Sequence, residues 1–332
     1  GRYSINKGVY RILDILKEKA NSGLDVRVLY DDMGSFAMLP SNYPKLLGKY
    51  GIKCMQFNKL SPFAGIIMNN RDHRKMMIID GTTAFTGGIN ISDEYININS
   101  KLGVWKDNGI RIKGEAVWNF TVMFLEMWNS FKKEDNDYNK YKYNFTEKYK
   151  ENGFVVPYGE SPLDDVITGE DIYLNIINQA KKYVYIYTPY LIIDTDMINS
   201  LILAARRGVD VRIVVPGIPD KKIVYDLTSS YFYTLIKGGV KIYTYTNGFV
   251  HSKVFLSDDE IATVGTINLD YRSLYLHFEC GIYMKDTNVI KDIKKDFEDS
   301  FKESHKVDEK EAKNGLFKGL WQAILRLFAP MM

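Results

Sequence analysis

The chain has 332 residues, with 44 Lys and Arg against 41 Asp and Glu and a formal net charge of +3. That balance excludes a protein that coats nucleic acid by charge alone, while it does not oppose an anionic lipid surface. A composition of 45% hydrophobic and 26% charged residues allows a large buried core, as two domains or as one pseudo-symmetric domain. Cys54 and Cys280 lie far apart and outside any Cys-x-x-Cys or Cys/His cluster, so free thiols in a reducing compartment are expected. No stretch reaches the roughly 20 uninterrupted apolar residues of a membrane-spanning helix. The start of the sequence lacks the layout of a secretion signal.

In chain order, residues 19–30 read as a helix end, a glycine and a β-branched strand, and residues 76–79 read as a second strand followed by a glycine-rich turn. Residues 132–152 are polar without a clean period and read as a surface connector. Residues 183–190 form a tyrosine-rich strand, and residues 204–215 repeat the pattern of 19–30. The offset between those two segments places the counterpart of the 183–190 strand at or before residue 1, so the first half is expected to lack its opening strand. Residues 254–256 are a further strand, and 292–313, dense in charges of both signs, read as a solvated helix. In the tail, Phe317, Leu320, Trp321, Ile324 and Phe328 recur at helical spacing with Lys318 and Arg326 as cations, and Pro330 ends the pattern. That amphipathic helix either lies on a membrane or docks on the core; both readings stay open.

The decisive pattern is an internal repeat. His73, Lys75, Asp80, Gly87 and Asn90 recur as His251, Lys253, Asp258, Gly265 and Asn268, each 178 positions later. A strand carries residues two apart on one face, so each His is presented together with its Lys. Displacement at a phosphodiester needs a nucleophile, an acid for the leaving alkoxide, and cations that hold the phosphoryl oxygens. Two His-x-Lys units meeting at one site supply all three: one neutral imidazole attacks phosphorus, the other donates a proton, and Lys75, Lys253, Asn90 and Asn268 bind the phosphate. No metal and no cofactor is required. Each imidazole needs an acceptor on its second nitrogen, and the candidates are Asp107 for His73 and Glu279 for His251. Asp80 and Asp258 complete the motif, but five positions past Lys, on the other strand face, they are placed to tie backbone rather than touch substrate. His277, two residues before Glu279, shares its strand face, although a packed or exposed structural role is the plainer reading.

The two motifs resemble the paired signatures of the phospholipase D superfamily. Residues 69–95 (NNRDHRKMMIIDGTTAFTGGINISDEY), 205–225 (ARRGVDVRIVVPGIPDKKIVY) and 248–274 (GFVHSKVFLSDDEIATVGTINLDYRSL) are similar to bacterial cardiolipin synthases, and so is the terminal LFAPMM. The resemblance implies an α/β fold of two pseudo-symmetric α-β-α halves, each a mixed sheet flanked by helices, with the active site between them. On that basis residues 1–131 are the first half, 132–152 the connector, 153–314 the second half and 315–332 the amphipathic helix. The implied catalytic signature is His73, Lys75, Asp80, His251, Lys253 and Asp258. The implied reaction moves a phosphatidyl group from one phosphatidylglycerol to another and releases glycerol through a phosphohistidine, with His73 as nucleophile and His251 as acid and base. The implied partners are phosphatidylglycerol, cardiolipin and the surface of the bacterial cell membrane, with peripheral attachment and no nucleic acid. The sequence departs from the family in starting after the hydrophobic anchoring helices and the opening strand, and in carrying His277 where a small amide residue is expected.

A nuclease of the same superfamily uses the same catalytic residues. Against it stand the lack of a basic tract and the tyrosines of residues 183–190, which suit a lipid headgroup boundary. The same residues are compatible with a phospholipase that uses water as acceptor, and the tail with a non-catalytic membrane-surface module.

Overall fold

The computed structural model describes residues 7–35, 38–58, 70–98, 100–146, 149, 152–313 and 315–329. Short helical turns aside, the first part of the chain runs α1 (Lys7–Asn21), β1 (Arg27–Asp31), β2 (Lys53–Phe57), β3 (Arg71–Asp72), β4 (Met76–Ile79), β5 (Thr83–Gly87), β6 (Val104–Lys106), β7 (Gly109–Lys113) and α2 (Val117–Phe131). The second runs β8 (Phe154–Glu160), α3 (Thr168–Gln179), β9 (Tyr183–Tyr187), α4 (Thr195–Arg206), β10 (Asp210–Pro216), α5 (Lys222–Ser230), β11 (Lys241–Tyr245), β12 (Gly248–Val250), β13 (Val254–Ser257), β14 (Ile261–Gly265) and β15 (His277–Lys285). It closes on α6 (Ile290–Lys302), β16 (Ser304–Lys306) and α7 (Leu316–Leu327).

Strand β9 sets the layering. Successive side chains of a strand face opposite ways, so Val184 and Ile186 enter one core with α3 and α4 while Tyr183, Tyr185 and Tyr187 enter a second with α6. Tyr173 of α3 stacks on Phe255 of β13 at 4.0 Å between ring centroids, and on the other face Phe297 of α6 stacks on Tyr187 at 3.9 Å. These tyrosines are core residues, which corrects the expectation that they border lipid headgroups. A central strand covered on both faces has no solvent side to offer.

The main sheet runs β16-β11-β10-β9-β13-β14-β15-β3, with β8 also paired to β15. Strands β9, β10 and β11 are parallel, and β13, β14 and β15 are antiparallel. The first part of the chain repeats this in two pieces, a parallel β1-β2 pair and an antiparallel β4-β5-β7 sheet. In the main sheet β9 joins the equivalent pieces; among the described residues no strand joins β1 to β4. The covering layer differs accordingly. Met77 is 43% exposed, whereas its repeat partner Phe255, under α3, is 1% exposed.

Two surface segments are more embedded than their composition suggests. Within 132–152, Asp135 is buried and accepts Arg27 Nη1–H at 2.6 Å and the Tyr141 hydroxyl at 2.7 Å, so this connector is pinned to β1 by ion pairing. Within 292–313, α6 buries Ile290, Phe297 and Ser300, and β16 extends the sheet by pairing with β11. The charges lie on the outer face of a helix whose inner face is core.

Asp80 and Asp258 both sit in left-handed backbone, at φ 52° and 56°. Asp258 accepts the backbone N–H groups of Lys181, Lys182 and Tyr183 at 2.7, 2.8 and 2.8 Å and so fixes the entry to β9. Exposed Asp80 has no hydrogen-bond partner among the described residues. Because an Ala pays the same left-handed cost at both positions, Asp258→Ala is expected to lower unfolding free energy more than Asp80→Ala by about 1–3 kcal/mol. Urea denaturation of the two variants measures that difference.

Candidate active site

The two short strands that lead into the histidines cross between the halves. Arg71 and Asp72 of β3 pair in parallel with His277 and Phe278 of β15, and the His73 N–H donates to the Phe278 carbonyl at 2.9 Å. Reciprocally, β12 pairs in parallel with β6, and the His251 N–H donates to the Lys106 carbonyl at 2.7 Å. Each histidine is therefore delivered to a carboxylate of the opposite half. His73 Nδ1 lies 2.8 Å from Glu279 Oε1, and His251 Nδ1 lies 2.8 Å from Asp107 Oδ2. This reverses the expected pairing of Asp107 with His73 and Glu279 with His251. The physical reason is the exchange of lead-in strands, which local sequence does not encode.

Both lysines follow their histidines round the same strand face. Lys75 Nζ donates to the His73 carbonyl at 2.6 Å; Lys253 Nζ donates to the His251 carbonyl and lies 2.9 Å from His251 Nδ1. The charges of Lys75 and His73 both act on His251, and those of Lys75 and Glu279 act on Lys253, which places the two units in one site. Asn90 Nδ2 donates to the Tyr95 hydroxyl at 2.6 Å, and Asn268 is buried with its Oδ1 unpaired. Each amide has a second N–H to offer. Asp258, committed to the entry of β9, and exposed Asp80 are not in this cluster.

The electrostatics differ between the halves. Burial holds His251 well below its ordinary range, and the cations of Lys253 and Lys75 add to the effect. Burial and Lys75 likewise hold His73 down, against the pull of Glu279. Burial alone would raise Glu279, but the imidazoles of His73 and His277 and the Lys75 cation outweigh it and keep the carboxylate low. Asp107 goes the other way: burial pushes it up to about 6, although Lys253 and the Asn108 N–H oppose the rise. Lys253 is lowered by burial to about 7.

Two kinds of residue escaped the motif reading. The Thr266 hydroxyl donates to Glu279 Oε2. Its repeat counterpart is Gly88, where an added Cβ would fall 2.1 Å from Asp107 Oδ1. Tyr95 and Trp105 wall His251, with ring centroids 5.2 and 5.7 Å away, and no spacing in the sequence marks them. His277 stands 5.7 Å from the His73 ring with its Nδ1 3.7 Å from Glu279 Oε1, so it belongs to the cluster rather than to the packing, as its period-two facing allowed. Among the described residues, His73, His277 and Glu279 are the set whose ligand atoms lie within 4.8 Å of one another. A metal there would displace the His73–Glu279 hydrogen bond.

Residues 3–128 and 173–301 match the family described as cardiolipin synthase, PLD-like domain. The chain belongs to this family. Similar curated proteins include cardiolipin synthase 1 of Staphylococcus aureus (strain MRSA252), 41% identical over 86% of this chain and 58% of its own length. The cardiolipin synthase of Halalkalibacterium halodurans is 38% identical over 84% of this chain and 56% of its own length. An uncharacterized protein of Streptococcus mutans is 51% identical over 85% of this chain and 61% of its own length. The chain thus spans about three fifths of the length of these relatives. Among solved structures, the phosphatidylserine synthase of Haemophilus influenzae Rd KW20 superposes with a TM-score of 0.70 at 18% identity, covering 99% of this chain and 86% of that one. That likeness shows the fold, a mixed α/β phospholipase D-like architecture. No helix among the described residues is long and apolar enough to cross a membrane.

A lysine whose pKa is lowered is cationic below that value and loses its charge as pH rises through it. Sulfate, fully ionised throughout, is therefore expected to bind about tenfold more tightly at pH 6 than at pH 8, because Lys253 titrates near 7. Titration calorimetry checks this, and Lys253→Met is expected to reduce the pH dependence to the part that the ionisation of Asp107 contributes. Equal affinity of the parent at both pH values would contradict it.

Proposed function

We propose that this protein moves a phosphatidyl group from one phosphatidylglycerol to the glycerol hydroxyl of another, releasing glycerol and forming cardiolipin. The observation that carries the reading is the pair of imidazoles whose Nδ1 atoms are each committed to a buried carboxylate, beside two lysines of the same site. With Nδ1–H donated, each Nε2 is free to face a phosphodiester. The similarity to proteins named cardiolipin synthase supports this lipid class.

The asymmetry supports a division of roles. Glu279 is fully buried and remains ionised under the Thr266 hydroxyl and His277, so it polarises His73 as the nucleophile. His73 Nε2 attacks phosphorus, the P–O bond to the leaving glycerol breaks, and protonated His251 gives its proton to the departing alkoxide. His251, held well below its usual range, is a strong acid once protonated. In the return step neutral His251 takes the proton of the acceptor hydroxyl, that oxygen attacks phosphorus, and the P–N bond breaks. Lys75, Lys253, Asn90 and Asn268 hold the non-bridging oxygens through both steps. Asp80 and Asp258 take no part. The donor and acceptor lipids place the working protein at the bacterial membrane surface, attached peripherally through the residues described.

The test is incubation with phosphatidylglycerol vesicles without added metal, with products identified by mass spectrometry. Cardiolipin plus glycerol is expected from the parent, and His73→Ala and His251→Ala are each expected to lower turnover by about a thousandfold or more. Cardiolipin at parental rate from either variant overturns the two-histidine reading, and phosphatidic acid alone from the parent makes the protein a hydrolase.

A further inference from the structure

Helix α7 wears its apolar stripe on the outside. Phe317 is 88% exposed, Leu320 62% and Leu327 78%, and Trp321, Ile324 and Phe328 are open to solvent as well. The helix is held to the fold from the other side. Leu325 and Ala329 are buried, Gln322 Nε2–H donates to the Asp226 carbonyl at 3.0 Å and to Ser229 Oγ at 3.1 Å, and Arg326 Nε–H donates to Ser230 Oγ at 3.0 Å. An ordinary terminal helix buries its Phe, Trp and Leu and leaves Gln and Arg outside. Here the polar residues do the anchoring, and the aromatic and aliphatic ones are left free on a fixed support.

We propose that α7 is an interfacial helix that lies on an anionic lipid bilayer, with this stripe in the acyl boundary, and holds the active site against the membrane. Residues 315–332 contain no acidic residue, and with Arg326 turned to Ser230 the exposed Lys318 is the cation left for anionic headgroups. Its place in the fold points the same way. Gln322 binds Asp226 and Ser229 and Arg326 binds Ser230, so α7 is carried on the C-terminal half of α5. At the start of α5, Ile223 is 53% exposed and Lys221 and Lys222 are exposed beside it. The loop entering α5 carries Pro219 and Asp220, which line a small cavity with Tyr190 and Phe249, and Asp220 accepts the Tyr190 hydroxyl at 2.6 Å. Phe249 packs on Trp105 at 4.8 Å, and Trp105 packs on His251 at 5.7 Å. Helix α5, which carries α7, is thus linked through its entering loop to the aromatic wall of the site. A bilayer is the occupant that an apolar stripe with a cation and no acidic residue selects, given that the inference rests on reading the site as a lipid transferase.

The test compares the full chain with the double variant Leu320→Ser, Leu327→Ser, whose exposed positions leave thermal stability unchanged. Co-sedimentation with vesicles of phosphatidylcholine containing phosphatidylglycerol is expected to fall by about tenfold or more in the variant. Turnover on those vesicles falls with it, while turnover of dispersed short-chain phosphatidylglycerol stays within about twofold of the parent. Equal vesicle binding by parent and variant overturns the inference. So does a parent that fails to bind vesicles but forms a dimer in sedimentation velocity that the two serines dissociate, since the stripe then covers a second copy. A parent that binds vesicles through the stripe yet transforms no lipid, vesicular or dispersed, supports the helix and sinks the transferase reading instead.

Discussion

Everything at the site depends on two parallel strand pairs of two or three residues each, β3 with β15 and β12 with β6. They carry each histidine out of its own half and set it beside a carboxylate of the other. Neither half alone holds an imidazole with its acceptor. The distances of 2.8 Å at both Nδ1 atoms are thus a property of the assembled pair. Interactions so far apart in sequence, from His73 to Glu279 and from Asp107 to His251, form only after the long loops between them have closed.

Burying two imidazoles, two lysines and two carboxylates together is costly unless each charge finds a partner. The opposing directions at Glu279 and Asp107 show how that cost is distributed. Glu279 is held low by the rings of His73 and His277 and the charge of Lys75, with the Thr266 hydroxyl as a second hydrogen-bond donor, whereas at Asp107 burial outweighs Lys253 and the Asn108 N–H. A site repeated in sequence is in this way made unequal in chemistry, as an acid and a nucleophile must be.

Much of this was legible in the residues. The repeat located His73, Lys75, His251 and Lys253, and the alternation of strand faces set Asp80 and Asp258 apart from the site before any contact was known. The carboxylates Asp107 and Glu279 were found as residues but matched to the wrong histidines, because pairing between halves leaves no local trace. The tyrosines of β9 misled for a related reason: alternation along a strand shows that faces differ, not what covers them. The periodicity of the tail gave the stripe of α7 but not its direction, which is fixed by Gln322 and Arg326 binding the end of α5.

The difference between Gly88 and Thr266 makes the two positions non-interchangeable. A threonine at position 88 would drive its Cβ into the Asp107 carboxylate, and a glycine at position 266 would strip Glu279 of its hydroxyl donor. No single substitution can exchange the two halves' characters, since each intermediate damages one carboxylate without repairing the other. The inequality of the two copies is thus held in place by one steric contact and one hydrogen bond.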